Sequence, residues 1–279
     1  MKIIESSRQA MQGVSVFIPT DQKIKYLNKL LGVGFDTLDF GAFGGNIAQM
    51  HDTAEVLSGL DLSETRTKLM AAVQNAAAAK QAAAFEAIDS LAFTLSVSET
   101  FQLQTTNQTI AAGLTELAQV QEIAGQANKK WVVYLSMGFG NPHNDPYSSE
   151  TMAAFAEKLA KMGVTAIVVS DSTASSTTDH IKELFGILVP HLPQVEFGVQ
   201  LYAKPSHVAK KVKAAYKVGV RRIDGTLRGF GNCSLSTDKL AKNLATELIV
   251  SELQQLRVAT TINDLKLAEA MLQSQYVFE

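Results

Sequence analysis

Short runs rich in Val, Ile, Leu and Phe alternate with longer segments whose apolar positions fall three and four apart, along the whole 279-residue chain. The first kind reads as strand and the second as amphipathic helix, because side chains repeat every second residue on a strand and about every 3.6 on a helix. Strands are expected at Lys2–Glu5, Thr37–Phe40, Lys68–Val73, Ser90–Leu95, Trp131–Met137, Ala166–Ser170, Glu196–Leu201 and Arg221–Thr226. Ile24, Leu27, Leu30 and Leu31 show the helical spacing and would lay one stripe on a sheet. Ala76–Ala84 is dominated by the strongest helix former. Beyond Val250 the pattern gives two more helices, Ser251–Arg257 and Asn263–Gln273, expected to cap the core or contact a partner subunit.

Strand–helix alternation implies a parallel sheet, and eight such units in a chain of this length fit a closed (β/α)8 barrel, an α/β fold of the TIM type. No Gly/Ser/Pro-rich linker interrupts the pattern. A single domain over residues 1–279 is therefore expected, with the barrel to about residue 250 and extra C-terminal helices over 251–279. Hydrophobic residues make up 46% and charged residues 19%, which supports a sizeable core and excludes a disordered chain. A net charge of -2 gives no electrostatic reason to expect nucleic acid or an anionic membrane surface. One cysteine allows no intrachain disulfide, the start MKIIESSRQ lacks a signal-peptide core, and no apolar run approaches the ~20 residues that span a bilayer. These features suggest a soluble cytoplasmic protein.

Barrel sites form at the carboxyl ends of the strands. The residues falling there are Arg8 and Gln9, Asp39, Glu99, Asn141–Pro146, Asp171, Gln200, Tyr202 and, after the last strand, Cys233 in the Gly-rich run GFGNC. A thiol on a Gly-flanked loop can close over a ligand and move a proton if a neighbour lowers its pKa. Its inert alternative is a small buried hydrophobe.

GFGNC (229–233), together with NLATE (243–247), AMQG (10–13), FIPTDQKI (17–24), Gln49-Met50, SMGFGNP (136–142) and VVSD (168–171), resembles the 3-hydroxy-3-methylglutaryl-CoA lyase family, in family order. The resemblance implies the same barrel and a retro-aldol-type (Claisen) cleavage of an acyl-CoA, with Mg²⁺ or Mn²⁺ polarising a hydroxyl. The implied metal ligands are an aspartate after the catalytic arginine, a His-x-His pair and an asparagine on the last barrel helix. Here Arg8 is followed by Gln9, the pair reads Gln200-Leu201-Tyr202, and only Asn243 remains, one residue further from Cys233 than the pattern expects. His51, His143, His180, His191 and His207 form no close pair in sequence. A neutral carbonyl-and-phenol set suits Mg²⁺ poorly, so no metal ligand and no cofactor are expected.

The resemblance assigns catalytic roles to Arg8, Asp171 and Cys233. Arg8 would neutralise developing negative charge, or alternatively hold the mouth by an ion pair to Glu5 or Asp171. Asp171 would orient the ligand, or alternatively cap the helix opening near Ser172. Asp39 stands where the family carries glutamate, and Gln12 and Asn243 read as hydrogen-bonding scaffold. A basic run of Lys204, Lys210, Lys211, Lys213, Lys217, Arg221 and Arg222 reads as solvated, and Lys204 and Arg228, nearest the mouth, are the candidates for CoA phosphates. The leading expectation is a divergent lyase-like protein, homo-oligomeric, taking an acyl-CoA or small carboxylate, with metal-dependent activity weak or lost. The alternatives are a non-catalytic partner subunit of an active relative, or altered metal-free chemistry in the same pocket.

Overall fold

The computed structural model describes residues 1–278 apart from 232, 234 and 237. Two positions of the motif region, Asn232 and Ser234, therefore lie outside the described residues. The elements run β1 (Lys2–Glu5), α1 (Ser7–Gln12), α2 (Thr20–Leu31), β2 (Thr37–Phe43), α3 (Thr53–Ser58), β3 (Lys68–Val73), α4 (Ala76–Ala83) and β4 (Ser90–Ser96). There follow α5 (Glu99–Thr106), α6 (Ile110–Gln126), β5 (Lys130–Ser136), α7 (Ser149–Lys161), β6 (Ala166–Ser170), α8 (Thr178–His191), β7 (Glu196–Gln200) and β8 (Tyr202–Ala203). The chain continues through α9 (Pro205–Lys217), β9 (Arg222–Gly225), β10 (Lys242–Asn243), α10 (Thr246–Gln255) and α11 (Asp264–Phe278).

Strands β1 to β7 and β9 close into an eight-stranded barrel, every pair parallel. The expected α/β barrel is thus the observed fold. Helix starts follow local chemistry: the side chains of Asn75, Ser98, Thr109, Ser148 and Thr177 each accept a bond from a backbone N–H of the first turn.

Where boundaries differ from expectation, backbone geometry explains it. β2 runs on to Phe43 through a register shift between Asp39 and Gly41. A Cβ at Gly41 would stand 2.6 Å from Thr53, so α3 lies close on this strand because glycine is there. β5 ends before Met137, which turns left-handed at φ 59. β7 stops at Gln200, and the next residues leave the barrel as β8 to pair antiparallel with β10, Tyr202 opposite Asn243. The helix expected from Ser251 already starts at Thr246.

Side chains of the strands alternate between two cores. The outer one lies between strands and helices, and includes Phe93, Leu95, Phe197, Val199 and Ile223. The lumen holds a smaller cluster of Ile4, Met70, Ala92, Val132, Tyr134 and Val168. Continuing the alternation toward the carboxyl ends brings Thr94, Ser136, Ser170, Gln200 and Asp224 into the lumen. Thr94 is exposed although it sits mid-strand, so the lumen is open to solvent down to the Ala92 layer.

Candidate functional site

The mouth is organised around Arg8, in the first turn of α1 just after β1. Its Nε and Nη2 grip the carboxylate of Asp39 on β2 at 2.8–3.0 Å, and its Nη1 donates to Gln12 Oε1 at 3.0 Å. The Asp39 side chain is fully buried and that of Arg8 is 14% exposed. Burial opposes the guanidinium charge, but the attraction and hydrogen bonds of Asp39 outweigh it and hold the Arg8 pKa above its ordinary value. The expected partners of Arg8, Glu5 and Asp171, are both engaged elsewhere. Gln12 acts as scaffold for the arginine.

Glu5, at the end of β1, accepts from Leu227 N at 2.9 Å and from Thr246 Oγ1 at 2.6 Å. Burial pushes its carboxyl up to about 8 against those two bonds, with Glu247 adding repulsion. It ties β1 to both ends of the segment that carries Cys233.

Asp171 follows β6 and turns away from the role of helix cap. Its oxygens accept from the backbone N–H of Ser175 and Ser176 at 3.0 and 3.1 Å and from Ser176 Oγ, while α8 starts later, capped by Thr177. Lys211 Nζ stands 3.8 Å away and donates to Ser176 Oγ and to the carbonyl of Tyr202. Burial lowers the Lys211 pKa and the Asp171 charge partly restores it. The carboxylate of Asp171 thus shapes the β6 loop.

Cys233 donates through Sγ to the carbonyl of Ser172 on that loop, at 3.0 Å. Burial raises its pKa, so the thiol form is favoured. Asn243 lies in β10, ahead of α10 rather than on it, and its Nδ2 donates to the carbonyl of Phe230 at 2.8 Å. Burial first, then the nearby Cys233 and Asp171 charges, push the Tyr202 phenol above its ordinary value. Lys204 pairs with Asp238 at 3.1 Å at the rim. Arg228 adopts a left-handed φ of 56, donates its N–H to Glu247 and lays its guanidinium 5.3 Å over the Phe230 ring.

Two members of the basic run are not solvated. Arg222 projects into the lumen, 5% exposed, with Nη2 on the Tyr134 hydroxyl at 3.2 Å and Met70 Sδ at 3.5 Å. The Tyr134 hydroxyl donates to Asp224, whose carboxyl burial pushes up to about 6 in spite of Arg222. Lys211 shares a helix stripe with buried Val208, Val212 and Ala215. Both had a signal in the sequence: Arg222, Ile223 and Asp224 alternate with strand period, and Lys211 interrupts an apolar stripe at three- and four-residue spacing.

The donors at the positions that the resemblance implies for a metal do not suit a divalent cation. Among the described residues no three His, Cys, Asp or Glu side chains converge on a common point. Gln200 accepts from Ser170 Oγ through its Oε1, and neither its Nε2 nor Gln9 Oε1 has a partner among the described residues. Gln9, Gln200, Tyr202 and Asn243 supply no carboxylate and no imidazole, the donors such ions rely on. A separate cavity of about 1240 Å³ lies at the amino ends of the strands, lined by residues such as Lys2, Asp36, Lys68, Trp131 and Glu196. It is remote from this mouth.

Fold and site together define a (β/α)8-barrel protein with a polar centre at the carboxyl ends of its strands, built on an arginine–aspartate pair. The chain belongs to the HMGL-like family, whose model matches residues 2–272. It is 25% identical over 265 residues to the hydroxymethylglutaryl-CoA lyase YngG of Bacillus subtilis, covering 94% of this chain and 88% of that protein. The mitochondrial hydroxymethylglutaryl-CoA lyase of Mus musculus is 27% identical over 282 residues, covering 97% and 83%. An HMG-CoA lyase structure from Brucella melitensis superposes with a TM-score of 0.91 at 22% identity, over 99% of this chain and 97% of that one. Another, from Acinetobacter baumannii, in complex with coenzyme A and 3-methylmalate, gives 0.88 at 24% identity, over 100% and 91%. At these identities the structural likeness establishes the fold alone. Among the described residues no helix is long and apolar enough to cross a membrane.

Proposed function

We propose that this chain is a divergent HMG-CoA lyase-like protein that takes an acyl-CoA or small carboxylate at the barrel mouth, with metal-dependent carbon–carbon cleavage weak or lost. The observation that carries this reading is the neutral donor set, Gln9, Gln200, Tyr202 and Asn243, beside the Arg8–Asp39 pair. The named activity of the relatives and the coenzyme A bound by one of them support the ligand class. Arg8 keeps N–H groups beyond those that Asp39 and Gln12 occupy, and these can meet a carboxylate or thioester oxygen. Lys204 and Arg228 at the rim are the phosphate candidates, and Cys233 sits on the closing loop as a thiol that binds or shields the ligand. The protein is read as cytoplasmic and homo-oligomeric.

Thermal-shift titration with 3-hydroxy-3-methylglutaryl-CoA, acetyl-CoA and short dicarboxylates tests this, because a ligand of the folded state alone raises Tm by mass action. The shift is read within each protein, parent and Arg8→Ala, so a variant's own lower Tm does not enter. An acyl-CoA shift present in the parent and absent in Arg8→Ala supports a working pocket. Robust, chelator-sensitive cleavage of 3-hydroxy-3-methylglutaryl-CoA by the parent would sink the lost-activity reading. A second reading, a partner subunit, is favoured by the exposed Leu265, Leu272 and Tyr276 on the outer face of α11. It gains if no ligand shifts the parent.

A further inference from the structure

Two residues toward the amino end from the lumen positions Ile4, Met70, Val132 and Asp224, strand alternation places Lys2, Lys68, Lys130 and Arg222. Glu196 opens β7 on the same face, and all five line the cavity of about 1240 Å³ at the amino ends of the strands. The barrel floor is thus a ring of four cations and one carboxylate. Like charges gathered this way repel, so each cation needs a counter-charge. Glu196 bonds Lys2, and Asp89, just before β4, meets Lys68 at 3.2 Å. Asp36 accepts the backbone N–H of Ile3 instead. On the rest of the lining Glu64 and Glu86 match Arg66 and Lys129 in number. Among the described residues Lys130 has no ion pair.

Arg222 is the buried member of the ring, whereas Lys2, Lys68 and Lys130 are exposed. Among the described residues its guanidinium hydrogen-bonds only through Nη2, to the Tyr134 hydroxyl at 3.2 Å and Met70 Sδ at 3.5 Å. Asp224 Oδ1 stands 3.6 Å from Nε, beyond hydrogen-bond reach, and both atoms are buried without a partner. A buried cationic N–H without an acceptor is costly, and an oxyanion entering from the cavity would supply one. The two cations that the protein's own acids leave short, Lys130 and Arg222, therefore stand at the entrance and at the deep end of one space.

We infer that the barrel floor is an oxyanion-binding site, in which Arg222 and Lys130 receive a phosphate or carboxylate group of a small, multiply charged ligand. The guanidinium suits either group, because its fork of N–H donors meets two oxygens at once. The cavity is larger than the roughly 300–1,000 Å³ of ordinary small-molecule sites, so size does not bar such a ligand. The site lies at the opposite end of the barrel from Arg8, and the inference stands whatever the mouth holds.

Trp131 lines the same cavity and is the only tryptophan in the chain, so its fluorescence reports on the floor. The parent is to be titrated with inorganic phosphate and with citrate, at ionic strength held constant with sodium chloride, by calorimetry and by Trp131 emission. Saturable one-to-one binding of at least one of them, with a parallel change in emission, is expected, and the one that binds tells a phosphate ligand from a carboxylate. Arg222→Met is expected to weaken it by about tenfold or more, and Lys130→Gln by about two- to fivefold. Lys182→Gln, an exposed cation on α8 outside the cavity, should match the parent. Should Arg222→Met fold poorly, Lys130→Gln carries the test, since its side chain is exposed. The inference is overturned if neither anion gives saturable binding, or if folded Lys130→Gln and Arg222→Met bind as the parent does. It falls equally if Lys182→Gln weakens binding as much as Lys130→Gln, since the anion then responds to net charge alone.

Discussion

Arg8 and Asp39 meet in a double-pronged ion pair, Arg8 Nη2 2.8 Å from Asp39 Oδ2, with the aspartate fully buried and the arginine at the solvent edge. The pair joins β2 to the first turn of α1, so one residue both braces the mouth and offers its remaining N–H groups to the pocket. Removing the arginine leaves a buried carboxylate without its counter-charge. Removing both partners leaves only a gap that apolar side chains can fill.

Arg8→Ala is therefore expected to lose about 3–5 kcal/mol of stability at neutral pH. The loss should shrink in acid, where Asp39 takes up a proton and no longer needs the cation. Arg8→Met combined with Asp39→Leu should recover most of it, while binding no acyl-CoA. Urea unfolding of the three proteins at pH 5 and pH 8 checks this. Equal losses in the single and double variants would show that the pair contributes packing rather than charge compensation.

Glu5 gives the stability profile a definite slope. Its folded-state carboxyl is raised by burial from 4.5 to about 8, so the stability it contributes is complete below 4.5 and is lost as pH rises through about 8. Asp224, raised by burial to about 6, adds a loss of the same sign at lower pH. Glu5→Gln keeps an acceptor for Leu227 N–H, reverses the Thr246 bond so that the amide N–H donates to the hydroxyl oxygen, and does not ionise. The variant should match the parent near pH 5 and exceed it by about 1–3 kcal/mol at pH 9. Parallel profiles in a denaturant series across that range would contradict this.

The barrel was legible because its outer strand faces carry uninterrupted apolar repeats such as Phe93 and Leu95 or Phe197 and Val199, which only a packed sheet requires. The site was legible in its address, the strand ends, but not in its pairings. Which carboxylate would meet Arg8 depends on the register of β2 against β1, with Glu5 opposite Leu38, and nothing local to Arg8 encodes that. The resemblance implies a helix position for Asn243. In the fold, departure of Tyr202 from the barrel creates a strand partner that claims Asn243 first. Lys211 and Arg222 were hidden by their neighbours: five other basic residues around them set the average, while each occupies the buried phase of its own element.

The pinning of Asp171 predicts an indirect effect on the thiol. Asp171→Asn puts an amide N–H₂ group where two backbone N–H groups and a hydroxyl converge, so the 172–176 loop should loosen. Ser172, which accepts the Cys233 thiol bond, lies on that loop. Faster hydrogen exchange over 172–177 together with faster Cys233 modification is the expected pair of results. Unchanged exchange would mean that Lys211 and Ser176 hold the loop without the carboxylate.

Metal binding offers the last test, and it separates the donor set from the scaffold. Purified protein is expected to bind Mn²⁺ no tighter than roughly millimolar, since Gln9, Gln200, Tyr202 and Asn243 bring no charge to offset the dehydration of the ion. The backbone that would hold a metal remains, because Tyr202 and Asn243 still face each other across β8 and β10 and Gln200 still ends β7 beside Asp224. Gln9→Asp, Gln200→His and Tyr202→His together should therefore tighten Mn²⁺ binding by at least about tenfold in calorimetry, with Asn243→Ala reversing much of the gain. Turnover need not return with the metal, because Cys233 stays protonated against the Ser172 carbonyl. A micromolar, stoichiometric site in the parent that Asn243→Ala abolishes would instead show that neutral donors suffice here, and the lost-activity reading would fall with it.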